Sequence, residues 1–414
     1  MKTQSVRFKL AMIAVVTGLS LLASFNGLFG VTQFSRKYDI ECNACHTSFP
    51  RLTYFGEQFQ RNGYQLPGEA DGDEKEKQAI GANLFVDRVE NFFGIRMSLT
   101  PLEVKTKSLV HNNDTITAVN IGKADWLQLF TAGSIFKNTS IFIETEITTS
   151  AVKVNWFYLG FHRPFGTSDL VHLRIGQLSP MEWHGISGRL RMIPNVNIQA
   201  VSGVQSSNGK GKDSQPLASA FPSLELYGWQ GPVLYSVGIS NGPKATDPNQ
   251  FKNFFGTLRF EATGGSFAGS SVSFWGFRGY DTKDDSTLQK LNNYWRASPG
   301  FNLRYRSLDV TGAFFYGEDG NWTLATTAQK NSFRGGAVQV GYNISPRVYG
   351  ILQYDEVNSH LSSSLDFRKI TPSIWYMARQ NMRLGLTGRV DLLKETTTHP
   401  AKIHELIATV RTMF

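Results

Sequence analysis

The chain has 414 residues, 42 Lys and Arg against 33 Asp and Glu for a net charge of +9, 41% hydrophobic and 13% aromatic residues, and two cysteines. Two cysteines exclude a disulfide scaffold. The cations alternate along apolar segments and form no single basic run, which argues against a nucleic-acid partner, and no Ser-His-Asp arrangement, phosphate loop or hydrolytic motif occurs.

Residues 1–30 read as an export signal, with Lys2, Arg7 and Lys9 as the positive start and an apolar run from Leu10 to Ala23. No clean small-x-small cleavage pair follows, so an uncleaved anchor is the alternative. Loss of this segment removes three cations and no acids, taking +9 to +6.

Residues 31–68 form the next unit, and its centre is Cys42-Asn43-Ala44-Cys45-His46. C-x-x-C-H is the spacing of a c-type haem attachment site. Two thiols one short turn apart can form thioethers to the two vinyl groups of a porphyrin, and the adjacent histidine can reach the iron as its proximal ligand. Other uses of the pair fit poorly. A thioredoxin-like site needs a βαβ context, a zinc site needs a second ligand pair, and a disulfide across two residues is strained. The sequence therefore predicts one covalently bound haem c, held by Cys42 and Cys45 with His46 on the iron, and places the protein outside the cytosol.

After the motif, Leu52, Phe55 and Phe59 share one helical face, and Asn62-Gly63 is a stop signal. With Phe49 they are candidates to wrap the porphyrin. A unit this small cannot bury a large core alone and is expected to lean on another part of the chain. Residues 69–80 read as a linker.

Residues 81–414 read as a transmembrane β-barrel. No stretch of about 20 apolar residues occurs there, so no membrane helix is expected. Instead, Ile141, Ile143 and Ile147 alternate with Phe142, Glu144 and Glu146; Val171, Leu173 and Ile175 alternate with His172 and Arg174; and Phe301, Leu303 and Tyr305 alternate with Asn302, Arg304 and Arg306. Leu384, Leu386 and Val390 alternate in the same way with Arg383, Thr387 and Arg389. A soluble sandwich would bury the apolar face, whereas a membrane barrel turns it to lipid and lines a wet lumen with the polar face. The aromatic content, the segment lengths and the apolar-alternating last segment, Leu406, Ala408, Val410 and Phe414, favour the membrane barrel.

Strands are expected to start near Leu84, Trp126, Thr139, Val152, Leu170, Pro194, Ser223, Val233, Lys252, Ser270, Gly300, Leu308, Arg334, Arg347, Asp366, Met382 and Ile403. An even count, 16, results if the Pro194 segment belongs to one long loop, 179–222, folding into the lumen; 18 is the alternative. With both ends of the barrel segment periplasmic, the short turns at Gly231-Pro232, Ser307, 343–346 and 379–381 fall on that side. The loops 241–250, 280–299 and 317–332 then face outward.

The combination of an export signal, one C-x-x-C-H, the stretch Pro50-Arg51-Leu52, Phe55-Gly56, Phe59 and Asn62-Gly63-Tyr64, and a porin-like barrel resembles the fused monohaem cytochrome c–porin family, the outer-membrane cytochromes of iron-oxidising bacteria. Residues 174–180, Arg-Ile-Gly-Gln-Leu-Ser-Pro, also resemble the strand-to-loop passage of phosphate-selective porins. The resemblance implies a 16-stranded barrel in the bacterial outer membrane with the haem unit at or in its lumen. It implies oxidation of extracellular Fe(II), with electrons passed to periplasmic carriers such as c-type cytochromes or copper proteins. The second reading is a diffusion porin, with anion selectivity as one form of it, whose haem unit acts as plug or redox sensor.

The distal iron ligand is missing from the haem unit, since neither Met nor a second His occurs between Thr47 and Ile80. The candidates are Met181, His184 and Met192 in the long loop, with His172 and Met377 on faces read as lumenal. Arg174, Arg304, Arg306, Arg383 and Arg389 read as polar lining that could also meet haem propionates or select anions. Asp281, Asp284 and Asp285 read as a solvated acidic loop, with collection of Fe(II) as the sharper reading.

Overall fold

The computed structural model describes residues 32–67, 78–81, 84–86, 91–109, 115–193, 219–241, 250–282, 291–360, 366–393 and 401–413, apart from positions 49 and 137. Residues 1–30, expected from sequence to be an export signal, lie outside the described residues, as do Pro194, Asp284 and Asp285.

Three short helices lead the chain: α1 (Gln33–Tyr38), α2 (Cys42–Cys45) and α3 (Tyr54–Arg61). A small hairpin, β1 (Gln78–Gly81) with β2 (Leu84–Val86), forms its own two-stranded sheet. Then come β3 (Phe93–Leu109), β4 (Thr115–Phe136), β5 (Thr139–Ile147), β6 (Val152–His162) and β7 (His172–Leu178). Beyond the long loop run β8 (Phe221–Gln230), β9 (Val233–Ser240), β10 (Asn253–Glu261), β11 (Ser271–Thr282), β12 (Leu291–Tyr305) and β13 (Leu308–Asp319). The last five are β14 (Asn331–Ser345), β15 (Val348–Ser359), β16 (Phe367–Arg379), β17 (Met382–Asp391) and β18 (Ala401–Met413). Strands β3 to β18 form one closed antiparallel barrel of 16, sealed where β18 pairs with β3.

The period-two pattern decides which face points where. Val272 and Phe274 are exposed at 50% and 58%, while Ser273 and Trp275 between and after them are buried. Val338 and Val340 are exposed around a fully buried Gln339, and Asn302 is buried between exposed Phe301 and Leu303. The apolar face is therefore outward and the polar face lumenal, the reverse of a soluble sandwich; a bilayer would cover that outer surface.

Two-residue turns at 231–232, 306–307, 346–347 and 380–381 lie where the sequence puts its short turns. Antiparallel order brings all four to one end, where β3 begins and β18 finishes, and puts the last residues of β7, β9, β11, β13 and β17 at the other.

Some boundaries differ from the sequence reading. The first barrel strand starts at Phe93, because the Leu84 segment pairs locally with β1. The strand expected from Trp126 starts at Thr115, and the one expected from Gly300 starts at Leu291. Both extensions carry mixed polar residues that hide the alternation. Asp281 is not a solvated loop residue; it is fully buried within β11.

The small N-terminal unit does lean on something: it fills the lumen. Arg36 donates to the Phe93 carbonyl of β3, Arg61 pairs with Glu261 of β10 at 2.5 Å, and Tyr64 shares a 2.7 Å hydrogen bond with Tyr158 of β6. The described start of the long loop, Ser179–Ile193, folds in beside it, with Trp275 of β11 donating to the Pro180 carbonyl and Gln339 of β14 accepting from the Met192 amide.

Candidate functional site

The C-x-x-C-H segment is held by its own neighbours. The four residues of α2 make a single turn, ended by the His46 amide bonding to the Cys42 carbonyl. His46 then pairs as a β-bridge with Leu52. Thr53 joins the two halves: its hydroxyl accepts from the Gly56 amide at 3.0 Å, capping α3, and its own amide donates to the Cys45 carbonyl at 2.9 Å. Helix α3 ends at Asn62, with Gly63 in the left-handed region at φ 71, as its sequence signals.

Between this unit and the barrel wall lies a cavity of about 1110 Å³, counting its open mouth. Cys42, Cys45, His46, Gly56 and Phe59 form one side. Phe130, Phe142, Arg96, Arg383 and Arg411 form much of the other, together with the 380–381 turn and Met413. The cavity therefore lies at the short-turn end of the barrel. Of the expected porphyrin-facing residues, Leu52 and Phe59 line it; Phe55 instead stacks on Phe59 at 6.4 Å, and Phe49 lies outside the described residues.

The donor set fits a covalently attached haem. Both thiols are free and face one apolar space. Burial, with Cys42 close by, pushes the Cys45 thiol up to about 12, so the free thiol is protonated at neutral pH. Burial, with the Arg383 guanidinium nearby, drives the His46 imidazole down to about 3, so it is neutral, the form that ligates iron. The Pro50 backbone carbonyl raises the imidazole somewhat but does not offset burial. Four arginines, Arg96, Arg189, Arg383 and Arg411, line the cavity against one acid, Glu41. Arg383 is 8% exposed and its Nη1 is buried with no hydrogen-bond partner. A buried guanidinium left this way calls for an anion, and two propionates would supply it.

The three distal candidates are elsewhere. Met181 is fully buried in the apolar cluster around Trp275 and Phe315. Met192 packs with Tyr349 and Trp375, and its sulfur accepts the Tyr349 hydroxyl at 3.7 Å. His184 has both ring nitrogens engaged: Nε2 donates to the Ser298 carbonyl at 3.2 Å and Nδ1 accepts from the Ile186 amide at 3.4 Å. None of the three lines the cavity, and neither does His172 or Met377. His172 is instead stacked on Trp229 at 4.5 Å.

Of the lumenal arginines named from sequence, Arg383 alone reaches the cavity. Arg174 is paired with Glu225, Arg304 with Glu57 and Arg389 with Glu405, while Arg306 sits in a tight turn at φ 53. Sequence reasoning did not single out Arg96, Arg189, Arg411 or Met413. Strand parity was the available signal for Arg411 and Met413, which share a face two residues apart.

No family model and no curated protein matches the chain. Solved structures do. An anion-selective porin from Comamonas acidovorans superposes with a TM-score of 0.55 at 9% identity, covering 78% of this chain and 99% of its own. Salmonella typhi OmpF, solved with daunomycin, gives 0.54 at 12% identity over 80% of this chain and 98% of that one. The outer-membrane channel DcaP of Acinetobacter baumannii gives 0.50 at 12% identity over 80% and 99%. At these identities the likeness concerns the fold, a 16-strand porin-type barrel.

Proposed function

We propose that the chain is an outer-membrane barrel carrying one covalent haem c in its lumen, and that it takes electrons from an extracellular donor and passes them to periplasmic carriers. The observation that carries this reading is the meeting of Cys42, Cys45 and His46 with a ring of arginines around one apolar cavity inside the barrel. Cys42 and Cys45 would hold the group covalently, His46 would ligate its iron, and Arg383 with Arg96 and Arg411 would receive its propionates. A bound haem supplies one-electron redox chemistry there. The surrounding residues would supply an apolar lining and set the charge near the iron. With the short turns on the periplasmic side, the cavity opens toward the carriers. The resemblance to cytochrome–porin fusions names Fe(II) as donor and c-type cytochromes or copper proteins as acceptors.

A second reading is a diffusion porin in which the haem unit is a plug or redox sensor. The barrel's likeness to the Comamonas and Acinetobacter channels favours it, and the lumenal arginines suit an anion path. Two measurements separate them in purified protein: planar-bilayer conductance, and the haem absorbance change on adding Fe(II) without oxygen. The redox reading expects small conductance and prompt haem reduction. A freely conducting barrel whose haem Fe(II) leaves oxidised establishes the porin reading.

A further inference from the structure

We propose that Met413, the last residue of β18, is the distal iron ligand. The inference rests on the haem reading above and adds the group that the haem unit lacks. Among the described residues lining the cavity, the side chains of types that ligate haem iron are Cys42, Cys45, His46, Tyr64 and Met413. The cysteines are taken up by the covalent links and His46 by the proximal side. Tyr64 is committed by its hydroxyl to Tyr158 at 2.7 Å and by its ring to Phe34 and Phe142. Met413 is left.

Its placement is favourable on three counts. It shares a face with Arg411 by strand alternation, and Arg411 lines the same cavity, so the thioether stands on the lumenal side. It belongs to the barrel wall that lines the same cavity as Cys42, Cys45 and His46. Its backbone is fixed: the Met413 amide donates to the Asn381 carbonyl at 3.0 Å, Asn381 Nδ2 donates back to the Met413 carbonyl at 3.0 Å, and Met413 pairs with Arg96 across the barrel seam. The backbone is already fixed, and the unbranched, polarisable side chain is flexible enough for its sulfur to reach an iron in the cavity. Met97 and Met382 lie one position out of phase with the lumenal Arg96 and Arg383 and so face outward. The ligand would thus come from the barrel, so the site is complete only once the strand that seals the barrel is in place.

The test uses the full-length, haem-loaded protein in detergent. Near-infrared magnetic circular dichroism of the ferric wild type should show the sulfur-to-iron charge-transfer band of a methionine ligand. Met413→Leu should lose that band and the low-spin spectrum, while Met181→Leu and Met192→Leu keep both. Met413→His should remain low-spin with the spectrum of two imidazole ligands and a lower midpoint potential. Absence of the sulfur band in the wild type, its survival in Met413→Leu, or its loss in Met181→Leu or Met192→Leu overturns the assignment. The wild-type spectrum and Met413→His keep the question decidable if the leucine variant does not assemble. A wild-type chain without covalent haem, seen by haem staining of a denaturing gel, would instead remove the haem reading itself.

Discussion

Arg51 and Asp309, 258 residues apart in sequence, face each other as a two-pronged pair, Nε to Oδ2 at 2.8 Å and Nη2 to Oδ1 at 2.5 Å. Arg51 is fully buried, and its third nitrogen donates to the Leu190 carbonyl and to Asn302, both at 2.8 Å. One guanidinium therefore joins the N-terminal helical unit, the inward loop and two barrel strands.

Removing one partner of such a pair leaves a buried charge uncompensated, at about 3–5 kcal/mol. Arg51→Met or Asp309→Asn should loosen the plug. Single-channel conductance and protease cleavage between residues 32 and 67 should both rise well above wild type. Arg51→Met combined with Asp309→Leu should recover much of the loss, because no lone charge remains. Single variants indistinguishable from wild type in both assays would show that the pair holds nothing in place.

Acid should release the plug through Glu57. Burial alone would raise this carboxyl, but Arg259 and Arg304, each 2.5 Å away, and Arg51 outweigh it and hold it down to about 2. A depressed carboxylate stabilises the folded state fully above its ordinary value of 4.5, and that stabilisation is lost as pH falls from there through about 2. The amount at stake is on the order of 3 kcal/mol. Conductance measured from pH 6 down to pH 2 should rise across that window, and Glu57→Gln should start higher and vary less. An identical pH profile in Glu57→Gln would remove Glu57 as the cause.

Arg383 should set the haem potential. A cation near the iron disfavours the ferric state, which carries one more positive charge than the ferrous. Arg383→Leu should therefore lower the midpoint potential by on the order of tens of millivolts while covalent attachment persists. Potentiometric titration of both proteins reads the shift directly; an unchanged or higher midpoint contradicts the placement of Arg383 beside the group.

Much of the barrel was legible because its physics is local. Alternation in β5, β7 and β12 sorts lumen from exterior residue by residue, and the two-residue turn at 231–232 carries its own Gly-Pro signal. The C-x-x-C-H pattern was legible for the same reason, since its five residues are contiguous. What sequence could not supply was closure. Met413 meets Arg96 only because β18 pairs with β3, and Arg383 reaches Cys42's cavity only because the haem unit lies inside the ring. The loop ligands Met181, His184 and Met192 were reasonable by type and proximity in sequence, yet each is consumed by packing or hydrogen bonds that exist only once the loop meets the far wall.

Gly56 provides a test of how the haem unit is built. It sits where α3 crosses α2, and a Cβ there would lie 2.3 Å from the Cys45 carbonyl oxygen and 3.0 Å from its carbon. Both are backbone atoms of the attachment motif, so no side chain can swing away to make room, and Gly56→Ala must push the two helices apart. Overpacking of this kind costs about 1–3 kcal/mol, enough to lower the correctly docked fraction roughly tenfold. Because the strain falls on Cys45 and His46, the expected loss is in haem content per barrel and in the low-spin spectrum, while heat-modifiable gel mobility, which reports the barrel, stays normal. Gly276→Ala is the matched control, since a Cβ at that position of β11 meets nothing within 4 Å. Full haem content with a normal spectrum in Gly56→Ala would mean that α2 and α3 are not in the close contact that positions the histidine.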